Sequence, residues 1–400
     1  GNNSLGRVQT PVLAAISRRY RERENHISSD SWPIYISLQK DGILFKMRRT
    51  QDLPDKESAT MFFQDCKLAH QAQITGISHS VKEILPPDLL DLTQLQKEAN
   101  IRYGFTASEV YDIAQSLYEK KLISYPRTSS RYLTEDVFDS LPPIMARLLS
   151  WELFPAAKGT GGIDISSLSR HVISAEKANV HHAIIITGIR PGNLSEKEMQ
   201  VYRLVAGRML EAFMAPCRIE TTNVEAVCAA QHFKAEQTRI IEAGWHDVFM
   251  RSDMIPTSGY SVKELPEVEK GDTLNVCGCN MVHKKQLPVN PFTDAELVEY
   301  MEQNGLGTVS SRTNIIRTLV NRKYIRYSGK YIVPTPKGMF TYETIRGKKI
   351  ADTSLTADWE KQLAGLESGM ITGQDFLNRI RTLAKEMTDD IFNTYSTKEE

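Results

Sequence analysis

The 400-residue chain has no apolar run close to the roughly 20 residues that a membrane span requires. Gly1 to Arg7 is polar and runs straight into a predicted helix, without the apolar stretch of a secretory leader. Cysteine is scarce. Cys66, Cys217, Cys228, Cys277 and Cys279 are too few and too scattered for a disulfide framework, so a reducing cytoplasm is expected. Cys277-Gly278-Cys279 could supply half of a zinc site. A structural zinc takes four ligands, and no second cysteine pair or nearby histidine pair completes the set, so no metal is assigned to the chain. An excess of either charge is missing too: 49 Lys and Arg balance 49 Asp and Glu. Global charge therefore gives no argument for nucleic acid, and any such site has to come from local placement. The cluster Arg18, Arg19, Arg21 and Arg23 reads by itself as a solvated helix face. There is no internal repeat and no low-complexity tail.

The composition is that of an ordinary globular protein, and the length is too great for one core, so two to four domains are expected. Thr10-Pro11 predicts a helix N-cap followed by proline at the first helical position, with Val12, Leu13, Ile16 and Tyr20 at helical spacing. Arg7 and Gln9 then fall in the turn before the helix, a natural place for phosphate contacts. From Trp32 the texture alternates as a strand does, with Asp41-Gly42 as a hairpin turn and a further strand over Ile74 to Leu85. From Thr93 to about Phe213 the chain predicts helices. Thr93…Gln96, Thr106…Glu109 and Ser195…Glu198 have capping-box spacing. Val110, Ile113, Ala114, Leu117 and Tyr118 form an amphipathic stripe that reads as core. β texture returns from Arg218 to Val289, so one β domain interrupted by a helical insertion is expected. From Phe292 the pattern is helix (capped by Thr293…Glu296), the turn Gly305-Leu306-Gly307-Thr308, a second helix, and a hairpin over Tyr324 to Val333. That order is winged-helix-like.

Two stretches carry candidate chemistry. Leu122-Ile123-Ser124-Tyr125-Pro126-Arg127-Thr128-Ser129-Ser130-Arg131-Tyr132-Leu133 puts Tyr125 on a loop that Pro126 breaks. A free phenol with a pKa near 10 is a poor nucleophile at neutral pH. An arginine two residues on can stabilise phenolate and phosphate charge together, with the forked geometry that phosphate prefers. Most of the 15 tyrosines must be packing or surface residues, so these residues alone leave the role of Tyr125 open. In Asn179-Val180-His181-His182-Ala183-Ile184-Ile185-Ile186-Thr187, the paired histidines suit a metal, a phosphate or the core, and without a partner site the core comes first.

These stretches and their order resemble the type IA DNA topoisomerases, on the bacterial topoisomerase III side of that family. Leu122 to Leu133 is similar to the family's nucleophile motif. Leu5 to Pro11 is similar to the motif that opens its core, and Thr93 to Asn100, with Gln96, to the lead-in to its catalytic domain. His181 falls on the active-site histidine. Phe292 through Thr308 to Arg312 resembles the helical hairpin beside the DNA channel. Thr335-Pro336-Lys337-Gly338 and Leu355-Thr356-Ala357-Asp358-Trp359-Glu360 resemble further landmarks. Ser129 stands where the family often has an acidic residue, and Ile186 where it usually has proline. The family's metal-binding Toprim domain would precede Gly6, and no Asp-x-Asp-x-Glu occurs here, so the chain is expected to be a core without that domain.

The resemblance implies an α+β multidomain ring of mostly helical domains joined by a β-rich arch. Residues 1–30 and 288–400 would be the helical base, 31–90 and 215–287 the arch, and 91–214 the helical domain carrying the tyrosine. It implies ATP-independent cleavage of one DNA strand through a 5′-phosphotyrosyl link at Tyr125, strand passage and religation. Arg127 and His181 would contact the scissile phosphate, and Arg7, Gln9, Thr308 and Arg312 the flanking ones. Mg²⁺ would belong to the complete enzyme, held mainly by the Toprim domain, and the fragment alone would be inactive. The partner would be mainly single-stranded DNA, and the protein a cytoplasmic monomer. A non-catalytic DNA-binding module built on residues 293–333 is the alternative. A tyrosine recombinase would need several arginines and histidines ordered ahead of a tyrosine near the C-terminus, a pattern absent here.

Overall fold

The computed structural model describes residues 5–151, 153–154, 168–178, 181–250, 255–367 and 369–396. Gly1 to Ser4, and Asn179 and Val180 ahead of the paired histidines, lie outside the described residues, as do the side chains of Ala357 and Glu360. Helix α1 (Gln9–Glu24) buries Val12, Leu13 and Ile16. It starts one residue before the expected cap. Val8 holds the cap position, and the Thr10 hydroxyl instead accepts from the Gly6 amide at 2.9 Å, closing the turn in front. Pro11 still sits in the first turn, where a missing N–H costs nothing.

A short strand β1 (Asp30–Ser31) leads into β2 (Ile34–Lys40) and β3 (Ile43–Arg49). Asp41 and Gly42 have φ of 51° and 81°, as a two-residue hairpin turn requires. Helix α2 (Lys56–Leu68), not foreseen from the sequence, follows, then β4 (Gln71–Ile84). Beyond the helical block come β5 (Cys217–Cys228), β6 (Gln231–Glu242), β7 (Thr273–Met281) and β8 (Lys284–Lys285). Six of these strands close a barrel in the order β2-β3-β6-β5-β4-β7, and β1 pairs with β8 where the chain enters and leaves it. Ile34, Ile36 and Leu38 alternate inward against Met47, Ile74, Val224 and Phe233. β4 pairs with β5 from Gln73↔Val227 to Ile84↔Cys217, so the chain leaves the barrel beside the point where it returns.

Between those strands stand α3 (Leu92–Tyr103), α4 (Ala107–Glu119), α5 (Glu135–Asp139), α6 (Leu141–Ser150), α7 (Ala175–Ala178) and α8 (Glu196–Phe213). Capping boxes at Thr106/Glu109 and Ser195/Glu198 open α4 and α8 as expected. Thr93 does not cap α3. Asp91 does, accepting from the Gln94 amide, and Thr93 is turned toward another helix. Trp245, fully buried on a 3₁₀ turn (Gly244–Val248), donates its indole N–H to the Ile84 carbonyl at 2.9 Å and locks the barrel exit to the helical core.

A second helical core joins α1 to α9 (Asp294–Gln303), α10 (Val309–Asn321) and the hairpin β9 (Ile325–Ser328) with β10 (Tyr331–Pro334). α11 (Pro336–Ile345), α12 (Thr353–Glu367) and α13 (Gly373–Ser396) follow, and Tyr342 and Ile345 of α11 form a separate cluster with Ala14 and Ile350. The chain is thus α+β, with a closed barrel and two main helical cores. No helix of the described residues is long and apolar enough to cross a membrane.

One close approach generates a test. A Cβ on Gly338 would lie 2.0 Å from the Tyr324 carbonyl oxygen, a backbone atom. Inside a helix, Gly→Ala ordinarily stabilises by about 1 kcal/mol. Here overpacking reverses the sign, and Gly338→Ala should destabilise by about 1–3 kcal/mol in urea melts. A variant as stable as the parent would show that α11 and the hairpin are not packed this tightly.

Candidate active site

The loop after α4 is fixed by pairing with residues far along the chain. Ser124 donates its amide to the Ile185 carbonyl at 2.8 Å, and Thr187 its amide to the Leu122 carbonyl at 3.1 Å. The Ser124 hydroxyl accepts from the Ile185 amide at 2.9 Å and donates to the Ala183 carbonyl at 3.1 Å. Ile123 and Ile186 form an antiparallel bridge, and Ile184 bridges to Leu90 on the other side. The β-branched residues 184–186 are buried, and Ser124 satisfies both the amide and the carbonyl of the central one, Ile185.

This pairing brings Tyr125 and His181 together, with ring centroids 4.7 Å apart and planes inclined by 47°. Thr128 donates to the His181 carbonyl at 3.1 Å and fixes the backbone of that histidine. Tyr118, read from the sequence as core, is instead 39% exposed and meets Tyr125 edge-on at 5.4 Å. The Arg127 guanidinium lies 5.0 Å from the Tyr111 ring centroid, its Nη2 donates to Gln115 Oε1 at 3.2 Å, and its buried Nε has no partner. A buried donor left unpaired costs about 1–3 kcal/mol, so Nε is poised for an acceptor. His182 contacts the Ala183 carbonyl through Nδ1 and takes no part in the pair.

Arg7, Gln9, Thr308 and Arg312 do not join this cluster in direct contact. The Arg7 guanidinium stands 5.4 Å over Trp359, and Gln9 Oε1 accepts from Arg322 at 3.1 Å. Thr308 begins α10 with its hydroxyl 3.2 Å from those of Ser310 and Ser311. Arg312 is buried, its Nη1 shared at 3.1 Å between Glu302 and Thr93, and its Nε without a partner. A chain of ions links that helix to the Tyr125 loop. Arg131 donates to Asp91 at 2.7 Å and lies 3.8 Å from Glu302. Burial pushes the Asp91 carboxyl up despite the Gln94 N–H and Arg131. The sequence reading missed Asp91, Arg131, Glu302, Tyr111 and Gln115. Tyr111, Gln115 and Glu119 recur at i, i+4 and i+8, so one face of α4 toward the loop was a signal available for two of them.

Residues 1–378 match the family described as DNA topoisomerase. The chain belongs to that family. It is 30% identical to DNA topoisomerase 3 of Bacillus licheniformis, over 97% of this chain and 56% of the relative. It is also 30% identical to DNA topoisomerase 3 of Bacillus subtilis, over 98% and 57%. DNA topoisomerase 1 of Methanocaldococcus jannaschii is again 30% identical, over 99% of this chain and 50% of that one. The chain therefore spans about half the length of these relatives. Topoisomerase I from Thermotoga maritima shares the fold, with a TM-score of 0.75 at 24% identity over 98% of this chain and 64% of that one.

A buried carboxylate ties α4 to α9. Asp294 Oδ1 accepts from the Ala107 amide at 3.3 Å and the Tyr327 hydroxyl at 3.1 Å. Burial pushes this carboxyl from the ordinary 3.8 up to about 6, and the two donors offset part of that rise. The folded state thus holds the proton more tightly than the unfolded chain. The contribution to stability is full below about pH 4 and is lost as pH rises through about 6. Asp294→Asn removes the titration and keeps an acceptor. The variant should gain about 1–3 kcal/mol on wild type between pH 4 and pH 7.5. Urea melts of both proteins at the two pH values give the answer, and a stability difference that does not change with pH rules the linkage out.

Proposed function

We propose that this topoisomerase-family chain is the strand-cleaving core of a type IA DNA topoisomerase and that Tyr125 is its nucleophile. The observation that carries the reading is the Tyr125–His181 contact, with Arg127 held two residues on and its Nε unpartnered. The Tyr125 oxygen attacks a backbone phosphorus of single-stranded DNA. The bond from phosphorus to the 3′ oxygen breaks, and the phenolic proton ends on that oxygen. A 5′-phosphotyrosyl link and a free 3′-hydroxyl result. The reverse attack reseals the strand after another has passed, so the bond energy is conserved and no ATP is consumed. Arg127 neutralises charge that builds on the pentacovalent phosphate, and His181 hydrogen-bonds the same phosphate.

Arg7 and Gln9 at the start of α1, and Thr308 at the start of α10, are proposed to hold flanking phosphates, as helix N-termini do. Arg312 joins them once a phosphate displaces Glu302. We propose a base of residues 1–30 and 288–400, an arch of 31–90 and 215–287, and a tyrosine-bearing domain of 91–214. Three apolar cores follow the division in the main, although Leu89, Leu90, Cys217, Ile219, Trp245 and Val248 join the core of the tyrosine-bearing domain and Ala107 that of the base. We propose a monomer acting on mainly single-stranded DNA in the cytoplasm, a reducing compartment in which its five thiols would stay free. Mg²⁺, which the resemblance assigns to the complete enzyme, does not fit the residues around Tyr125. Their side chains are aromatic, amide and cationic, and among the described residues no group of three His, Cys, Asp or Glu suits a metal.

In the complete protein, Tyr125→Phe should abolish covalent capture of a labelled oligonucleotide on a denaturing gel and leave its binding within about twofold, since only the phenol oxygen is lost. A covalent band from the Phe variant ends the assignment. The 400-residue chain itself should bind single-stranded DNA with an affinity that falls linearly in log–log form with salt, about 0.7 per phosphate neutralised. Salt-independent binding would remove the phosphate contacts from the proposal.

A further inference from the structure

Arg127 is the arginine on which the proposed chemistry depends, and it is held by neutral partners. Among the described residues no carboxylate pairs with it. Its partners are the Tyr111 ring, 5.0 Å from the guanidinium carbon, and the Gln115 side-chain oxygen, 3.2 Å from Nη2. Gln115 is itself held, because its amide nitrogen donates to Glu119 Oε1 at 2.8 Å. That second bond fixes the orientation of the amide. Turned the other way, its NH₂ would face the guanidinium, donor against donor, and its oxygen would face a carboxylate. The three residues stand at i, i+4 and i+8 on α4, whose last turn leads directly into the Tyr125 loop.

We propose that Gln115 is a positioning residue for strand cleavage: it anchors Nη2 of Arg127 over the Tyr111 ring, so that the unpartnered Nε and the remaining N–H groups meet the scissile phosphate. This rests on the reading of Tyr125 and Arg127 given above. A neutral anchor serves the role better than an acid. A carboxylate at position 115 would hold the arginine as firmly but would cancel part of the charge meant for the phosphate. Glu119 lies one turn further on, with the Gln115 amide between it and Arg127. It orients the amide without sharing the arginine.

The test uses the complete protein and an end-labelled single-stranded oligonucleotide. Single-turnover formation of the covalent complex is measured beside equilibrium binding and thermal melting. Gln115→Leu should slow cleavage by about 10-fold, with Kd within about twofold and Tm unchanged, because a misplaced catalytic group costs rate rather than binding. In an Arg127→Ala background, Gln115→Leu should add nothing, since the group it positions is gone. Tyr111→Leu serves as a second variant should Gln115→Leu fold poorly, with the same slowing and the same lack of additivity. Wild-type cleavage by Gln115→Leu overturns the proposal, as does an equal slowing with and without Arg127. If Arg127→Ala itself cleaves at the wild-type rate, the reading of the site falls and takes the positioning role with it. If Arg127→Ala is slow and Gln115→Leu is not, only the positioning role falls.

Discussion

Ser124 and Ile185 hold each other through both of their amides, and the chemistry proposed for this chain depends on that register. Side chains alternate along paired segments, so a slip of one residue would turn Tyr125 away from the histidine and send Ile123 into solvent. Three buried isoleucines, Ile184 to Ile186, make the slip costly, at about 1.5–3 kcal/mol for each side chain exposed. Ile186, which stands where the family usually has proline, uses its amide: it donates to Met209 Sδ at 3.1 Å. The rigidity that proline would supply is provided here by packing onto α8.

A second constraint follows from where the apolar cores stop. The core around α3, α4 and α8 and the core around α1, α9 and α10 are separate clusters. The seam between them is mostly polar. Gln96 donates to Thr313 at 2.9 Å, Lys97 meets Glu299 at 2.7 Å, Thr93 and Arg312 both meet Glu302, and Arg317 meets Asp112 at 2.8 Å. The more exposed pairs, Lys97–Glu299 and Arg317–Asp112, contribute about 0–1 kcal/mol each, and water replaces them when they part. Under the proposed function, the tyrosine domain must draw the 5′ end of the cut strand away from the 3′ end. A mostly polar seam permits that separation with little apolar surface uncovered, chiefly Ala107 of α4, which sits in the core of the base. The continuous β4–β5 ribbon, from Gln73↔Val227 to Ile84↔Cys217, keeps the domain attached meanwhile.

How much of this was legible in the sequence depends on the range of the interaction that fixes each element. The capping boxes at Thr106, Ser195 and Thr293 are local, and all three form. Thr10, read as an N-cap ahead of Pro11, and Thr93, read as a capping box with Gln96, cap nothing, because Gly6 and Glu302 compete for their hydroxyls. Alternation in Ile34, Ile36 and Leu38 announced strands. It could not announce that β3 closes onto β6, a pairing of only two residues from each strand. Helix α2 was missed although Ala59, Phe62, Phe63 and Cys66 stand at i, i+3, i+4 and i+7, a short stripe that packs on the barrel core. At the site, Tyr125 and Arg127 were visible as a motif. The residues that orient them were not, since Gln115 and Tyr111 read as one side of an ordinary amphipathic helix.

The balance of charge explains why Arg312 and Arg127 stand in such different surroundings. A chain with as many acids as bases pairs most of its arginines by default, and Arg312 is a clear case, buried against Glu302. A phosphate arriving there has to displace a carboxylate, so the net gain is the difference between two similar contacts, and such a group is suited to grip and release. Arg127 faces an amide oxygen and an aromatic ring, neither of which carries a charge to be displaced. The full electrostatic gain of a phosphate is then available at Arg127, in a partly buried site where it is screened less than at the surface. Under the proposed function, the partner of each arginine would separate a position that grips DNA from the position that stabilises the reacting phosphate. That distinction is written in tertiary structure, because the sequence presents both residues simply as arginine.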